Sequence, residues 1–326
     1  MVGFLDVEEV EKNLASCRLY TRRHARTFYF ASFMLPKEKR FAAYAVYAFC
    51  RYADDVVDAA FGAHPASRRL DELRDQVRYL YQGSALMDPQ LIGLRDVVLR
   101  YRIPDHYVLD LIRGVEMDLT THRYATFDEL LEYCYCVASV VGLMMTHVFG
   151  ASSLDEARGP AAELGVGMQL TNILRDVRQD LSMGRIYLPA EDLARFDVSE
   201  EDLRHGVMSP GLRELMRFES DRARGYYARA ARGIGLLSDD GSRYCVQVMS
   251  DCYAAILDVL ERRSHDIFAG RAHVSGLRKL GLAASGLLRA RRPHPSAVRA
   301  PAGMSTREDA RLIAMPFRTS LPSETR

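Results

Sequence analysis

Apolar residues recur along this chain at helical spacing, and the strict apolar–polar alternation of half-buried strands does not occur. Residues from about Val7 to Tyr20 read as a helix of mixed charge. A basic cluster from Thr21 to Thr27 then runs into the aromatics Phe28, Tyr29 and Phe30. Pro36 and the charged stretch Lys37 to Arg40 mark a break and a helix start. From Phe41 to Ala60 the pattern is apolar on all sides until acids appear, as in a buried helix. Gly62 to Ser67 reads as a loop, Leu70 to Tyr81 is amphipathic, and Pro89 and Pro104 each open a further helical run. Thr126 to Glu129 is a capping-box sequence, opening a helix that continues to Phe149. Ser153 to Glu156 has the same spacing, and the pattern predicts a short helix broken at Pro160, then a central helix ending near Leu181. Ser182 to Pro189 lacks helical periodicity and reads as a loop; Ser199 caps a short helix, and Pro210 to Ile234 and Ser242 to Ile267 are two long ones. The predicted fold class is all-α, with one helical domain over 1–290. From Pro293 to Arg326 the composition turns to Pro, Ser, Arg and Thr, so 291–326 is predicted to be a disordered tail.

Two polar stripes interrupt this apolar pattern. On the central helix Gln169, Asn172, Asp176 and Asp180 fall at three- or four-residue steps, opposite an apolar face of Leu170, Ile173, Leu174, Val177 and Leu181. Asp54, Asp55 and Asp58 crowd one face at the end of the buried helix upstream. One such stripe is more simply a solvated face; two on separate apolar-backed helices describe carboxylate walls across a cavity. Hard oxygen ligands of this kind suit Mg2+, with Mn2+ as a substitute, bridging to a diphosphate. A carbocation left when the diphosphate departs needs a dry pocket with π-faces. Phe28, Tyr29, Phe30, Phe33, Tyr44, Tyr47, Phe49, Tyr133 and Tyr135 form the predicted lining, although each alone is more simply core filling.

Composition narrows the partners. The chain has 326 residues, 48% of them hydrophobic, ample for a large core, and a formal net charge of +1 gives no field for nucleic acid. The six cysteines form no C-x-x-C pair, so small buried hydrophobes in a reducing compartment fit better than zinc or disulfides. Acids follow Met1 where a signal peptide has bases. The longest apolar run, Cys136 to Ala151, is broken by Ser139, Thr146 and His147, so a cytoplasmic protein is expected. Leu277 to Arg292 reads as a short basic amphipathic helix, suited either to closing the bundle or to peripheral contact with an anionic membrane face.

The stretch Tyr47 to Asp58 (YAFCRYADDVVD) and the stretch Gln169 to Asp180 (QLTNILRDVRQD), followed by Gly184 to Pro189 (GRIYLP), resemble the paired signatures of the squalene/phytoene synthase family. The resemblance covers roughly Arg22 to Arg289. It implies the class I isoprenoid synthase helical bundle with a central cavity, and head-to-head condensation of two prenyl diphosphates through a cyclopropyl intermediate. By position it assigns Mg2+ binding to Asp54 and Asp58 on one wall and to Asn172, Asp176 and Asp180 on the other. It assigns diphosphate contacts to Arg51, Arg175, His24, Arg26 and Thr27, with Arg271 a less regular match, and cavity positions to Tyr47, Tyr133, Gln169 and Tyr253. The general base is left between a Tyr hydroxyl and the released diphosphate.

Ser32 stands on the segment that lines the pocket in that family, and a small residue there leaves room for a longer tail. With Gly142, Leu143 and Met144 it favours geranylgeranyl diphosphate as substrate and phytoene as product. The Asp54-Asp-Val-Val-Asp58 form of the first motif points the other way, toward farnesyl diphosphate and squalene, dehydrosqualene or presqualene diphosphate. No glycine-rich fingerprint follows a strand, and NADPH is not expected to take part. Rival readings are a class I terpene cyclase, disfavoured by the paired Asp motifs, and a non-catalytic helical subunit, disfavoured by so much retained acid.

Overall fold

A computed structural model describes residues 7–58, 66–82 and 90–290 of the chain. Fourteen α-helices are seen among them: α1 (Val7–His24), α2 (Arg26–Ala31), α3 (Lys37–Asp58), α4 (Ala66–Gln82), α5 (Gln90–Arg100), α6 (Asp105–Thr120), α7 (Phe127–Cys134), α8 (Val140–Phe149), α9 (Leu154–Ser182), α10 (Ala190–Arg195), α11 (Glu200–His205), α12 (Pro210–Ile234), α13 (Ser242–Arg262) and α14 (Gly276–Ala290). No strand occurs among the described residues, only two isolated bridges, Arg123 with Ile186 and Ala151 with Leu237. The predicted tail, 291–326, lies outside the described residues.

The long helix α9 is the axis of the bundle. Its start is set by Ser153, whose side chain accepts from the Glu156 N–H, leaving one fewer unpaired donor at the N-terminus. The break expected at Pro160 does not occur, and α9 runs through it. Proline there removes a single backbone bond near the helix start, and the ring packs directly against Gly233 of α12. Antiparallel α12 is held to α9 by a buried ion pair, Arg229 Nε to Glu163 Oε1 at 2.7 Å. On the other flank α9 approaches the α7–α8 segment so closely that a Cβ at Gly165 would lie 2.5 Å from the Ser139 Cα. The apolar face of α9, Leu170, Ile173, Leu174 and Val177, is buried, each such side chain contributing about 1.5–3 kcal/mol.

The apolar stretch Phe127–Phe149 is continuous, with a wide π-turn at Tyr135–Ser139 joining α7 to α8. By length and composition alone it could cross a membrane, contrary to the expectation from sequence, but 61% of it is buried inside the bundle. Five of the six cysteines are buried and all six are free, as their apolar settings predict. Helix α13 stops at Arg262 rather than Ile267, because Ser264 and His265 take left-handed backbone conformations that no helix continues through.

Candidate active site

Two adjoining hollows lie along one side of α9. The larger, about 750 Å³, has mostly apolar walls drawn from α2, α3, α8, α9, α12 and α13. The smaller, about 260 Å³, is a polar chamber between α3, α6 and α9 and the segment after α9. Asp54, Val137, Gln169 and Asn172 line both, so the polar chamber opens directly onto the apolar cavity.

The two polar stripes meet in the chamber. Arg51 and Asp54 face it from α3, and Gln169, Asn172, Asp176 and Asp180 face it from α9. The side chain of Asp58, at the end of α3, lies outside the described residues. Asp55, grouped with these acids in the sequence, does not line either hollow. It accepts from the Tyr20 hydroxyl at 2.5 Å and pairs with Arg51 at 2.7 Å.

The carboxylates of α9 have unlike environments. Asp176 is gripped by two arginines: Arg175 reaches its oxygens at 3.0 and 2.5 Å, Arg271 at 2.7 and 3.0 Å. Burial raises its pKa, but the two guanidinium groups outweigh burial and hold it below the ordinary value. Asp180, one turn on, is pushed up to about 7 by burial and by the charge of Asp176. Asn172 donates to Gln169 at 3.2 Å, while its buried Oδ1 accepts no hydrogen bond. A buried orphan acceptor beside carboxylates that repel each other is the setting a hard cation relieves. Among the described residues no three acids, histidines or cysteines close up into a ready-made metal cage. Oxygens from both walls, and from a phosphate between them, fit an ion that keeps part of its shell for substrate.

Sequence reasoning missed the chamber's third wall. Asp118 on α6 accepts from the Tyr187 hydroxyl at 2.7 Å and the Tyr133 hydroxyl at 3.2 Å, and all three line the chamber with Arg185. The signal was available: Leu111 and Val115 are buried on α6, and the next residue on that face is an acid. Arg185 and Tyr187 alternate in an extended segment pinned by the Ile186 N–H to the His122 carbonyl at 3.0 Å. Alternation sends both toward the chamber.

The larger cavity has a basic rim. His24, Arg26, Thr27, Arg175 and Arg271 line it, and so does Lys279 of α14, which donates to the Thr27 hydroxyl at 2.8 Å. Tyr47 and Tyr253 line it too, and burial pushes the Tyr47 phenol up to about 12 and raises that of Tyr253. Of the aromatics expected to line the cavity only Phe28 and Tyr47 do so, with Tyr133 in the polar chamber. Tyr44 and Phe49 of α3 and Tyr135 are core residues, while Phe30 of α2 and Phe33 in the tight turn that follows it are exposed. Ser32 is likewise absent from the wall: it is fully buried, its hydroxyl 2.7 Å from that of Tyr44. Gly142 lines the cavity, whereas Leu143 and Met144 are packed into the core.

Comparison with known proteins gives one answer. Residues 21–278 match the family description squalene/phytoene synthase. The chain is 41% identical over 286 residues to the 15-cis-phytoene synthase of Synechococcus elongatus, covering 84% of this chain and 92% of that protein. It is 40% identical over 283 residues to the 15-cis-phytoene synthase of Synechocystis sp., covering 83% of each. Among solved structures it resembles a dehydrosqualene synthase with a TM-score of 0.80 at 31% identity, over 86% of this chain and 98% of that one. A squalene synthase from Alicyclobacillus acidocaldarius gives a TM-score of 0.74 at 28% identity, over 80% and 97%.

Proposed function

The chain belongs to the squalene/phytoene synthase family, and from that premise we propose that it condenses two geranylgeranyl diphosphates head to head, through a cyclopropyl diphosphate, to phytoene. Its relatives at about 40% identity over most of their length are phytoene synthases. The observation that carries the reading is the polar chamber, with acids on facing helices, opening into a large apolar cavity.

Asp54, Asn172, Asp176 and Asp180 are the residues that would hold Mg2+, with Asp58 added by resemblance. Bound there, Mg2+ would supply the positive charge that neutralises a diphosphate leaving group as the allylic carbon–oxygen bond ionises. Arg51 in the chamber, and Arg175 and Arg271 on the adjoining rim, carry guanidinium forks suited to phosphate oxygens, and His24, Arg26, Thr27 and Lys279 complete the rim. Phe28 and Tyr47 offer π-faces to the cation, and the apolar wall keeps water from quenching it. Burial keeps the Tyr47 and Tyr253 phenols protonated, which suits them to orient oxygens rather than to remove a proton. The released diphosphate, held beside the cavity mouth, is the base this reading uses to form the cyclopropane.

The product is too apolar for water, and α14 bears on how it leaves. One face of α14 closes the bundle through Ala283 and Gly286; the other exposes Leu277, Leu280 and Leu288 at 85%, 55% and 67%. Arg278 and Arg289 are paired with Asp258 and Asp251 of α13. The exposed leucines beside a cavity-lining lysine support peripheral contact of this face with a membrane, made more by apolar insertion than by charge.

The test is incubation of the purified chain with radiolabelled geranylgeranyl diphosphate and Mg2+. Labelled phytoene supports the reading; turnover of farnesyl diphosphate alone overturns it.

A further inference from the structure

The larger cavity follows one face of α9, lined in turn by Asn172, Met168, Leu164, Ala161 and Ala157. From Asn172, where the polar chamber opens, to Ala161 is about 16 Å of helix, and to Ala157 about 22 Å. The far end is shut. The loops after α8 and α12 pair there, the Ser152 N–H donating to the Leu236 carbonyl at 2.8 Å and the Ser238 N–H to the Gly150 carbonyl at 2.9 Å. Phe149 and Leu237 line the cavity at this seal.

An extended carbon chain advances roughly 1.2 Å per bond, so each four-bond isoprene unit takes about 5 Å. Three units need about 15 Å and four about 20 Å by the same measure. A tail anchored by its diphosphate near Asn172 ends its third unit level with Ala161 and carries its fourth between Ala161 and Ala157. Resting on the function proposed above, we propose that Ala161 and Ala157 set the substrate length. Their short side chains leave the closed end of the cavity open to a fourth isoprene unit. Ser32, the sequence's candidate for this role, is buried against Tyr44 and is not among the residues that line the cavity.

The experiment measures kcat/KM for the 15-carbon and 20-carbon diphosphates, each alone with Mg2+, in wild type, Ala161→Phe and Ala157→Phe. Folding is checked by circular dichroism, and Ala161→Leu replaces Ala161→Phe if that variant does not fold. Ala161→Phe is expected to raise the 15- to 20-carbon preference at least ~10-fold, the scale of discrimination by size in an apolar pocket. Ala157→Phe moves it the same way by less. An unchanged ratio in folded variants, or equal loss on both substrates, overturns the depth inference and leaves the phytoene reading standing. A wild type that leaves the 20-carbon substrate untouched overturns both.

Discussion

Arg271, beyond the end of α13, reaches back to α9 and places Nε and one terminal nitrogen on the two oxygens of Asp176, at 2.7 and 3.0 Å. The same carboxylate is already held by Arg175. Asp176 thus carries two guanidinium groups at the place where the account puts metal and diphosphate. With metal and diphosphate in the chamber, Asp176 would be free to hold the ion and Arg175 and Arg271 to hold phosphate oxygens.

Arg271→Ala therefore raises KM for the prenyl diphosphate, and the inhibition constant for free diphosphate, by ~10-fold or more, the loss of a charge-assisted fork. Arg271→Lys recovers only part, because an ammonium cannot make the paired contact. Steady-state kinetics with diphosphate as inhibitor checks both.

Asp180 gives a pH signature. Folding raises its carboxyl from 3.8 to about 7, so between those values the folded chain holds a proton that the unfolded chain has released. Stability from this group therefore falls as pH rises from about 4 to 7. In EDTA, the difference in Tm between wild type and Asp180→Asn is expected to change in that direction across the interval. Mg2+ bound to the ionised carboxylate opposes the fall, so the stabilisation of wild type by Mg2+ grows as pH rises through 7 and weakens below it. Paired melting curves with Mg2+ and EDTA, from pH 5 to 8, read this out.

Gly233 packs against Pro160, where a Cβ would lie 2.3 Å from the proline Cβ. Gly233→Ala is expected to destabilise by about 1–3 kcal/mol through overpacking. Pairing it with Pro160→Gly, which removes the clashing Cβ, is expected to give a favourable coupling energy in a double-mutant cycle on urea unfolding; additive losses would show that the two residues do not interact.

Leu277 and Leu280 are exposed at 85% and 55% on the face of α14 turned away from α13. Changing both to Glu is expected to abolish flotation with liposomes while leaving turnover of detergent-dispersed substrate within about two-fold, as for surface changes remote from packing. Undiminished flotation would remove α14 as the contact.

Much of this architecture was legible because its signals are local. The stripe Gln169, Asn172, Asp176, Asp180 needs only the helical period, and Ser153 and Ser199 cap the helices their spacing announces. What the sequence hid is tertiary. Pro160 stays helical because Gly233 makes room for its ring. Ser32 is turned into the core toward Tyr44, a rotation that local spacing does not reveal. Asp118 carries a local signal, an acid continuing the buried face of α6, but its place in the chamber opposite α9 is tertiary. Lys279 lies in a stretch that the sequence marks only as a basic amphipathic helix, and its long stem brings the ammonium to Thr27 at the cavity rim.

The most direct measurement is a crystal of the chain grown with Mn2+ and an unreactive prenyl thiodiphosphate, with anomalous scattering locating the metal. The account predicts anomalous peaks in the chamber between α3 and α9, about 2.0–2.3 Å from oxygens of Asp54 and of Asn172, Asp176 or Asp180, each bridging to the diphosphate. Metal and diphosphate bound outside that chamber, with both walls unligated, would contradict it.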